Sequence, residues 1–166
     1  MNAPTTGIHF DIPQVPLMIT GADQNPFVTF IEGTPGLKLQ VLHIDLDAGL
    51  WVVRTRMSPG LTLPRHQHTG TVFALTEKGW WKYLEHPEMN RPGSYLFEPA
   101  GSIHTLHVPP DNPEDMVTWF AINGANINVG EDNEVISVWD AHWILETYLG
   151  LCEAEGKPRP NIIGVR

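Results

Sequence analysis

The residues with the clearest chemical potential in this chain are histidines on a short alternating segment. His66 and His68 are one residue apart, so an extended strand places both imidazoles on the same face. Two imidazole nitrogens on one face can bind a single metal ion, but a stable site needs further ligands. His104 follows a tight turn over residues 99–101 and can begin a returning strand that faces inward. This pattern predicts a metal site built from two different strands.

The histidines stand out because the chain has eight of them beside one cysteine, Cys152. A single cysteine excludes an internal disulfide and a cysteine-rich zinc site, and it indicates a reducing compartment. Cys152 lies among apolar residues, so we interpret it as buried packing rather than as a nucleophile. The other histidines lack a motif partner and are interpreted as surface or packing residues. They are His9, His43, His86, His107 and His142.

Charge and hydropathy narrow the class of partner and the compartment. Lysine and arginine total 10 against 19 for aspartate and glutamate, and the net charge of −9 disfavours nucleic acid and anionic membranes as partners. The amino terminus lacks the basic and apolar stretches of a secretory signal, and no segment approaches the roughly 20 apolar residues of a membrane span. We therefore predict a soluble cytoplasmic protein.

The segments between the histidines have the pattern of short strands. Fifteen glycines and fifteen prolines punctuate the chain, which favours many turns over long helices. The predicted strands cover residues 37–45, 50–57, 72–76, 80–85, 94–98, 103–108, 116–122 and 135–139. Strand and turn at this spacing predict an all-β, antiparallel sandwich or barrel.

One helix is predicted, at the carboxyl end. Asp140 is a good N-cap, and apolar residues recur at helical spacing until Gly156 and Pro158. We expect this helix to pack across an open end or outer face of the barrel. The predicted organisation is an amino-terminal arm with edge strands over residues 1–36, broken by several prolines including Pro13, a barrel over residues 37–139, and a helix and tail over residues 140–166.

Two spaced motifs surround the histidines. The first is a glycine, five residues, His-x-His and a later glycine; the second is a glycine, five residues and Pro-x-Gly-x-x-His. The matching residues are Gly60, His66, His68 and Gly79, then Gly93, Pro99, Gly101 and His104. These motifs resemble the two signature motifs of the cupin superfamily. The resemblance implies a single antiparallel cupin β-barrel, a double-stranded β-helix or jelly roll, with a metal at its centre.

The chain differs from the cupin pattern because it lacks the glutamate of the first motif. The usual glutamate of the first motif would fall at Val72 or Phe73, and Val108 stands where the second motif often ends in asparagine. From about Trp51 onward the chain resembles the 2,4′-dihydroxyacetophenone dioxygenase group, which implies that Glu85 joins the three histidines as the fourth ligand.

Three imidazoles and one carboxylate leave positions open on a five- or six-coordinate metal. Such a centre suits Fe(II), which can bind a chelating substrate and then dioxygen, although Zn(II), Ni(II) or Mn(II) fit the same ligands. The resemblance implies cleavage of a carbon–carbon bond in a small hydroxyketone or β-dicarbonyl compound. Glu85 and Arg56 are the candidate catalytic residues, Arg56 because a cation inside the barrel would stabilise an enolate.

Each candidate residue also has a structural interpretation. The three histidines can be barrel residues bonded to backbone, Glu85 an exposed strand-end carboxylate, and Arg56 part of an exposed strand face. Glu98 is interpreted as a surface charge or as an acceptor that orients a ligand histidine, but not as a ligand. Three aromatic residues are candidates for the pocket lining: Phe73, Tyr83 and Phe97.

Two other functions fit the same motifs. The resemblance extends to the ChrR-like anti-sigma cupins, which are non-enzymatic metal-dependent sensors. Those regulators carry an additional zinc-binding helical domain, whereas residues 1–36 offer His9 and no cysteine. A binding or storage cupin without metal is the third alternative. The resemblance also implies a homodimer or homotetramer.

Overall fold

The computed structural model describes residues 16–21 and 23–165, and within them the chain forms twelve strands followed by one helix. The predictions made for His9 and Pro13 lie outside the described residues. The strands are β1 (Val28–Thr29), β2 (Leu37–Asp45), β3 (Leu50–Met57), β4 (His66–His68), β5 (Val72–Lys78), β6 (Lys82–Tyr83), β7 (Tyr95–Glu98), β8 (Ile103–His104), β9 (Leu106–His107), β10 (Met116–Asn123), β11 (Asn126–Val129) and β12 (Val135–Trp139). The helix is α1 (Ala141–Ala154).

The largest layer is a six-stranded sheet in the order β1-β2-β3-β10-β5-β7. Its central strands are long and apolar, and β3 pairs with β2 on one side and with β10 on the other, all antiparallel. Val53 lies opposite Phe120, and both are buried, so the inner face of this sheet forms much of the core. Alternation of buried and exposed residues follows from the period of two along a strand.

The second layer positions the histidines. It is a four-stranded sheet in the order β12-β11-β4-β8, and β6 and β9 form a separate two-stranded ribbon. Residues of all three sheets line one internal cavity, so the sheets enclose a common interior. The architecture confirms the predicted all-β jelly roll with a carboxy-terminal helix.

Helix α1 packs on the six-stranded sheet as the apolar spacing predicted. The carboxylate of Asp140 accepts a hydrogen bond from the backbone N–H of Trp143 at 2.8 Å, which confirms the N-cap. Tyr148 and Cys152 are buried, and the Tyr148 hydroxyl donates to the carbonyl of Pro26 at 2.6 Å. Burial raises the pKa of the Cys152 thiol, in keeping with a packing role.

Some element boundaries differ from the prediction. The strand expected over residues 103–108 is divided at Thr105 into β8 and β9, which pair with different partners. Strand β11 was not predicted, because Asn126 and Asn128 interrupt its apolar pattern, yet both are buried. Strand β1 belongs to the predicted arm and pairs with β2. None of the helices in the described part of the chain has the length and hydropathy to cross a membrane.

Candidate metal centre

Three histidines converge in the interior as the motif spacing predicted. The candidate ligand atoms of His66, His68 and His104 all lie within 4.8 Å of one another. The three residues are 4%, 3% and 3% exposed. Three imidazole nitrogens at this spacing can hold one metal ion, so the side chains present fit a metal centre.

Strand pairing accounts for the convergence. Strand β4 carries His66 and His68 on one face, and it pairs antiparallel with β8 so that His66 lies opposite His104. The turn before β8 contains Gly101 with φ at 88°, a left-handed conformation that favours glycine. The backbone N–H of Gly101 donates to the carbonyl of His68 at 2.7 Å, which ties the turn to β4. The glycine of the second motif therefore sets the approach of its histidine.

The surroundings keep the imidazoles neutral, which is the form that binds metal. Nδ1 of His66 lies 2.8 Å from the carbonyl oxygen of Pro64. A carbonyl only accepts, so Nδ1 carries the proton and Nε2 keeps its lone pair. Burial lowers the pKa of all three histidines. Burial together with proximity to His66 brings the pKa of His68 to about 2 and that of His104 to about 3.

Glu98 is the carboxylate beside the histidines. Its Oε2 lies 3.4 Å from Nε2 of His68 and 3.2 Å from Nε2 of His104, and its side chain is 4% exposed. The Tyr83 hydroxyl donates to Oε1, and the Ser102 hydroxyl donates to Oε2 at 3.3 Å. Burial raises the pKa of Glu98 to about 7, against the opposing effect of these two hydrogen bonds.

The distances from Oε2 of Glu98 to Nε2 of His68 and His104 can be compared with the spacing of neighbouring metal ligands. Two donor atoms that share one ion at about 2.1 Å lie about 3.0–3.4 Å apart when they are neighbouring ligands. The separations from Glu98 to His68 and His104 fall in this range. Nε2 of His104 also has no hydrogen-bond partner of adequate geometry among the described residues. The metal-ligand group is formed by the three histidines, and Glu98 lies at ligand spacing from two of them. Its burial rules out the interpretation as a surface charge.

The signal for Glu98 was present in the sequence as strand alternation. Tyr95 and Phe97 are exposed on β7, whereas Leu96 and Glu98 turn inward. A glutamate at the inward position before the Pro-x-Gly turn lies close to the histidine that ends the same motif. Alternation alone could have placed it inside.

Glu85, the predicted fourth ligand, is not brought into the histidine cluster. It is exposed, and its carboxylate accepts hydrogen bonds from the backbone N–H and the hydroxyl of Thr105, at 2.9 and 2.8 Å. Partial burial acts to raise its pKa, but the Thr105 bonds outweigh this and the pKa is lowered. Ligation by Glu85 requires the side chain to leave Thr105 and stays a prediction.

Arg56 lies on the outer face of β3. Its Nε is 3.9 Å from a carboxylate oxygen of Asp115, and its guanidinium lies 5.0 Å from the ring centroid of Phe27. It lines neither of the cavities at the histidines. This position corresponds to the exposed-face interpretation, and a catalytic role for Arg56 stays a prediction.

Two cavities adjoin the histidines. An inner cavity of about 50 Å³ lies between the sheets and is bordered by His66 and His68. An outer cavity of about 280 Å³ is bordered by His104 and Glu98. Tyr83 borders both, as predicted for the pocket lining. The other two aromatic candidates line neither cavity, because they pack on each other at the outer surface of β5 and β7 with ring centroids 5.5 Å apart; they are Phe73 and Phe97.

Comparisons with known proteins agree with this geometry. The family model of the ChrR Cupin-like domain matches residues 18–126. A protein of unknown function with a cupin-like fold from Ralstonia eutropha JMP134 is 33% identical, with 93% of this chain and 96% of that chain covered and a TM-score of 0.84. No curated protein matches the sequence.

Two characterised proteins share the fold at lower identity. Acetylacetone dioxygenase from Acinetobacter johnsonii is 16% identical, with 89% of this chain and 99% of that chain covered and a TM-score of 0.71. The Rhodobacter sphaeroides complex of SigE with the anti-sigma ChrR matches with 15% identity, a TM-score of 0.50, and coverage of 61% of this chain and 51% of that chain. At these identities the likeness shows the fold alone.

Proposed function

Starting from a chain that belongs to the ChrR cupin-like domain family, we propose that this protein is a mononuclear metal-dependent dioxygenase. Its substrate is a small hydroxyketone or β-dicarbonyl compound, cleaved at a carbon–carbon bond next to a carbonyl. The observation that carries the proposal is the buried set of three histidines with Glu98 beside two of them. The fold shared with acetylacetone dioxygenase supports it.

Fe(II) is the metal that this proposal requires, held by His66, His68 and His104 with Glu98 as the fourth ligand. Zn(II), Ni(II) and Mn(II) fit the same donors and are the alternatives to test. When bound, iron would supply the one-electron chemistry that reaction with dioxygen needs. Cleavage places one oxygen atom of dioxygen in each product while the substrate supplies the electrons, so the reaction balances without an external reductant.

The chain's own residues would hold the Glu98 carboxylate in place. Tyr83 stacks on His104 with ring centroids 3.7 Å apart, and its hydroxyl donates a hydrogen bond to Oε1 of Glu98. This contact fixes Oε1 of Glu98 and leaves Oε2 directed at the histidines. A carboxylate held in place before substrate arrives costs little reorganisation during the reaction.

Anaerobic reconstitution tests the proposal. Protein loaded with Fe(II) is mixed with hydroxyacetophenones or β-diketones in an oxygen electrode, with His104→Ala protein as the matched control. We expect substrate-dependent oxygen uptake by the wild type and none by the variant. No uptake with any compound of this panel would contradict the dioxygenase proposal.

A metal-dependent sensor is the second candidate function. It is supported by the family description and by the fold shared with ChrR in its complex with SigE. A sigma factor captured by the metal-loaded protein, and not by the His104→Ala variant, would favour this function. A freshly purified protein without metal that also fails to take it up on reconstitution would contradict both candidates.

A further inference from the structure

The two cavities at the candidate centre border different ligands. His66 and His68 face the inner cavity, whereas His104 and Glu98 face the outer one. Tyr83 separates the cavities, since its ring stacks on His104 at an interplanar angle of 15° and its hydroxyl is bonded to Glu98. The two cavities therefore adjoin the centre on different sides.

The inner cavity suits a very small apolar molecule. Its walls are mostly apolar, from residues such as Leu39, Trp51 and Phe120, and no lysine, arginine, aspartate or glutamate of the described chain lines it. Its volume of about 50 Å³ is well below the roughly 300 Å³ at which organic ligand pockets begin. It exceeds the roughly 10–15 Å³ that a single small molecule such as water needs. A diatomic gas fits this space and loses no hydrogen bonds there.

The outer cavity is larger, and its lining is more polar than that of the inner cavity although still mostly apolar. Its volume of about 280 Å³ is close to the lower end of organic ligand pockets. Polar side chains border it, among them His86, Glu88, Asn90 and Ser102. His86 and Glu88 are exposed, so the cavity opens to solvent. A molecule with carbonyl or hydroxyl oxygens finds more hydrogen-bond partners here than in the inner cavity, where an unpaired buried polar group is unfavourable.

From this asymmetry we propose that the two substrates occupy separate cavities. The outer cavity binds the carbonyl compound on the His104 and Glu98 side, and the inner cavity holds dioxygen on the His66 and His68 side. The assignment rests on the proposed function. The assignment also places the Tyr83 side chain between the two substrates at the metal centre.

Two variants that each narrow one cavity test the assignment. Asn90→Tyr fills the outer cavity from a side chain outside the histidine cluster, and Leu39→Phe fills the inner cavity from β2. The probe is acetylacetone, titrated anaerobically against Fe(II)-loaded protein and followed by absorbance. We expect Asn90→Tyr to weaken binding at least tenfold and Leu39→Phe to change it less than twofold. The reverse order would overturn the assignment.

Xenon tests the inner cavity without relying on any variant. Crystals of the wild-type protein under xenon pressure should show the gas in the inner cavity, since apolar cavities bind xenon. Xenon in the outer cavity, or no xenon in the inner one, would overturn the assignment. Leu39→Phe crystals should lose the inner xenon, while Asn90→Tyr crystals should keep it.

These readouts separate the two proposals. Acetylacetone binding that Asn90→Tyr weakens, together with inner xenon but without oxygen uptake, would contradict the dioxygenase function and still support the cavity assignment. Oxygen uptake with an unaltered acetylacetone affinity in Asn90→Tyr would support the function and overturn the assignment. A wild-type protein that binds no acetylacetone would overturn the outer-cavity site.

Discussion

At the residue scale, the choice between two glutamates decides the chemistry of the centre. Glu98 is buried against His68 and His104, whereas Glu85 is exposed and bonded to Thr105. A buried carboxylate beside neutral imidazoles adds the negative charge that a divalent ion needs. The position of Glu98 therefore gives it a larger expected effect on metal affinity than that of Glu85.

Matched glutamine variants test this difference. Glu98→Gln keeps the shape of the side chain but removes its charge, and we expect Fe(II) affinity to fall at least tenfold, in the range of losses on removing a group that supports a metal site. Glu85→Gln should change affinity less than twofold. Competition with a chromophoric chelator measures both. A large loss in Glu85→Gln alone would show that Glu85 is the ligand.

The pH dependence of stability in metal-free protein also depends on Glu98. Burial raises its pKa from 4.5 to about 7, so in this interval the folded state keeps a proton that the unfolded state has lost. The contribution of Glu98 to the free energy of unfolding of the wild type is therefore lost as pH rises from 4.5 to about 7. Glu98→Gln lacks this titration, and its free energy of unfolding relative to wild type should rise across the interval.

Urea unfolding in the presence of a chelator measures the comparison. The three histidines contribute in the other direction, because their lowered pKa values cost stability as pH falls below 6.5. They are the same in both proteins, so to first approximation their contribution cancels in the difference. A difference that stays flat between pH 4.5 and 7 would show that Glu98 is not held neutral.

At the scale of elements, β11 differs from the predicted strands because two of its buried residues are polar. Asn126 lies opposite His68 and Asn128 lies opposite His66. Both asparagines are buried on the strand between β12 and β4, and the Asn128 side-chain amide donates to the Ser137 hydroxyl at 3.0 Å. The buried positions of β11 opposite the histidines are therefore polar, and an alternation of apolar residues does not predict this strand.

The helix offers a test of an element that does not carry ligands. Asp140→Ala removes the bond to the Trp143 N–H and should cost about 1 kcal/mol of the free energy of unfolding. Glu146→Ala, at an exposed position of the same helix, should change it by less than about 0.5 kcal/mol. Chemical denaturation measures both. Equal effects of the two variants would contradict a specific N-cap contribution.

At the scale of the whole molecule, the predicted homodimer or homotetramer concerns the outer surface. The exposed side chains of Tyr95 and Phe97 lie on β7, an edge strand of the six-stranded sheet. Association would remove apolar surface of this kind from water. Light scattering should give two or four times the 18.6 kDa of one chain. A mass near 18.6 kDa would contradict the prediction.

The sequence by itself determined the histidine set and the general fold. His66 and His68 share one face because they are one residue apart on β4, and the motif spacing predicts His104 as the third histidine, which the pairing of β4 with β8 brings opposite His66. The strands Leu37–Asp45 and Leu50–Met57 and the N-cap Asp140 also followed from local patterns, since periodicity and capping are local properties.

Only the tertiary structure decided which carboxylate faces the histidines. Glu98 is buried because β7 joins the six-stranded sheet while Tyr83 of another strand bonds to it, and Glu85 is held outside by Thr105. The two cavities likewise depend on how three sheets and α1 meet, with Tyr83 between them. Such contacts join residues far apart in the chain, and their free energies depend on packing that spacing along the sequence does not encode.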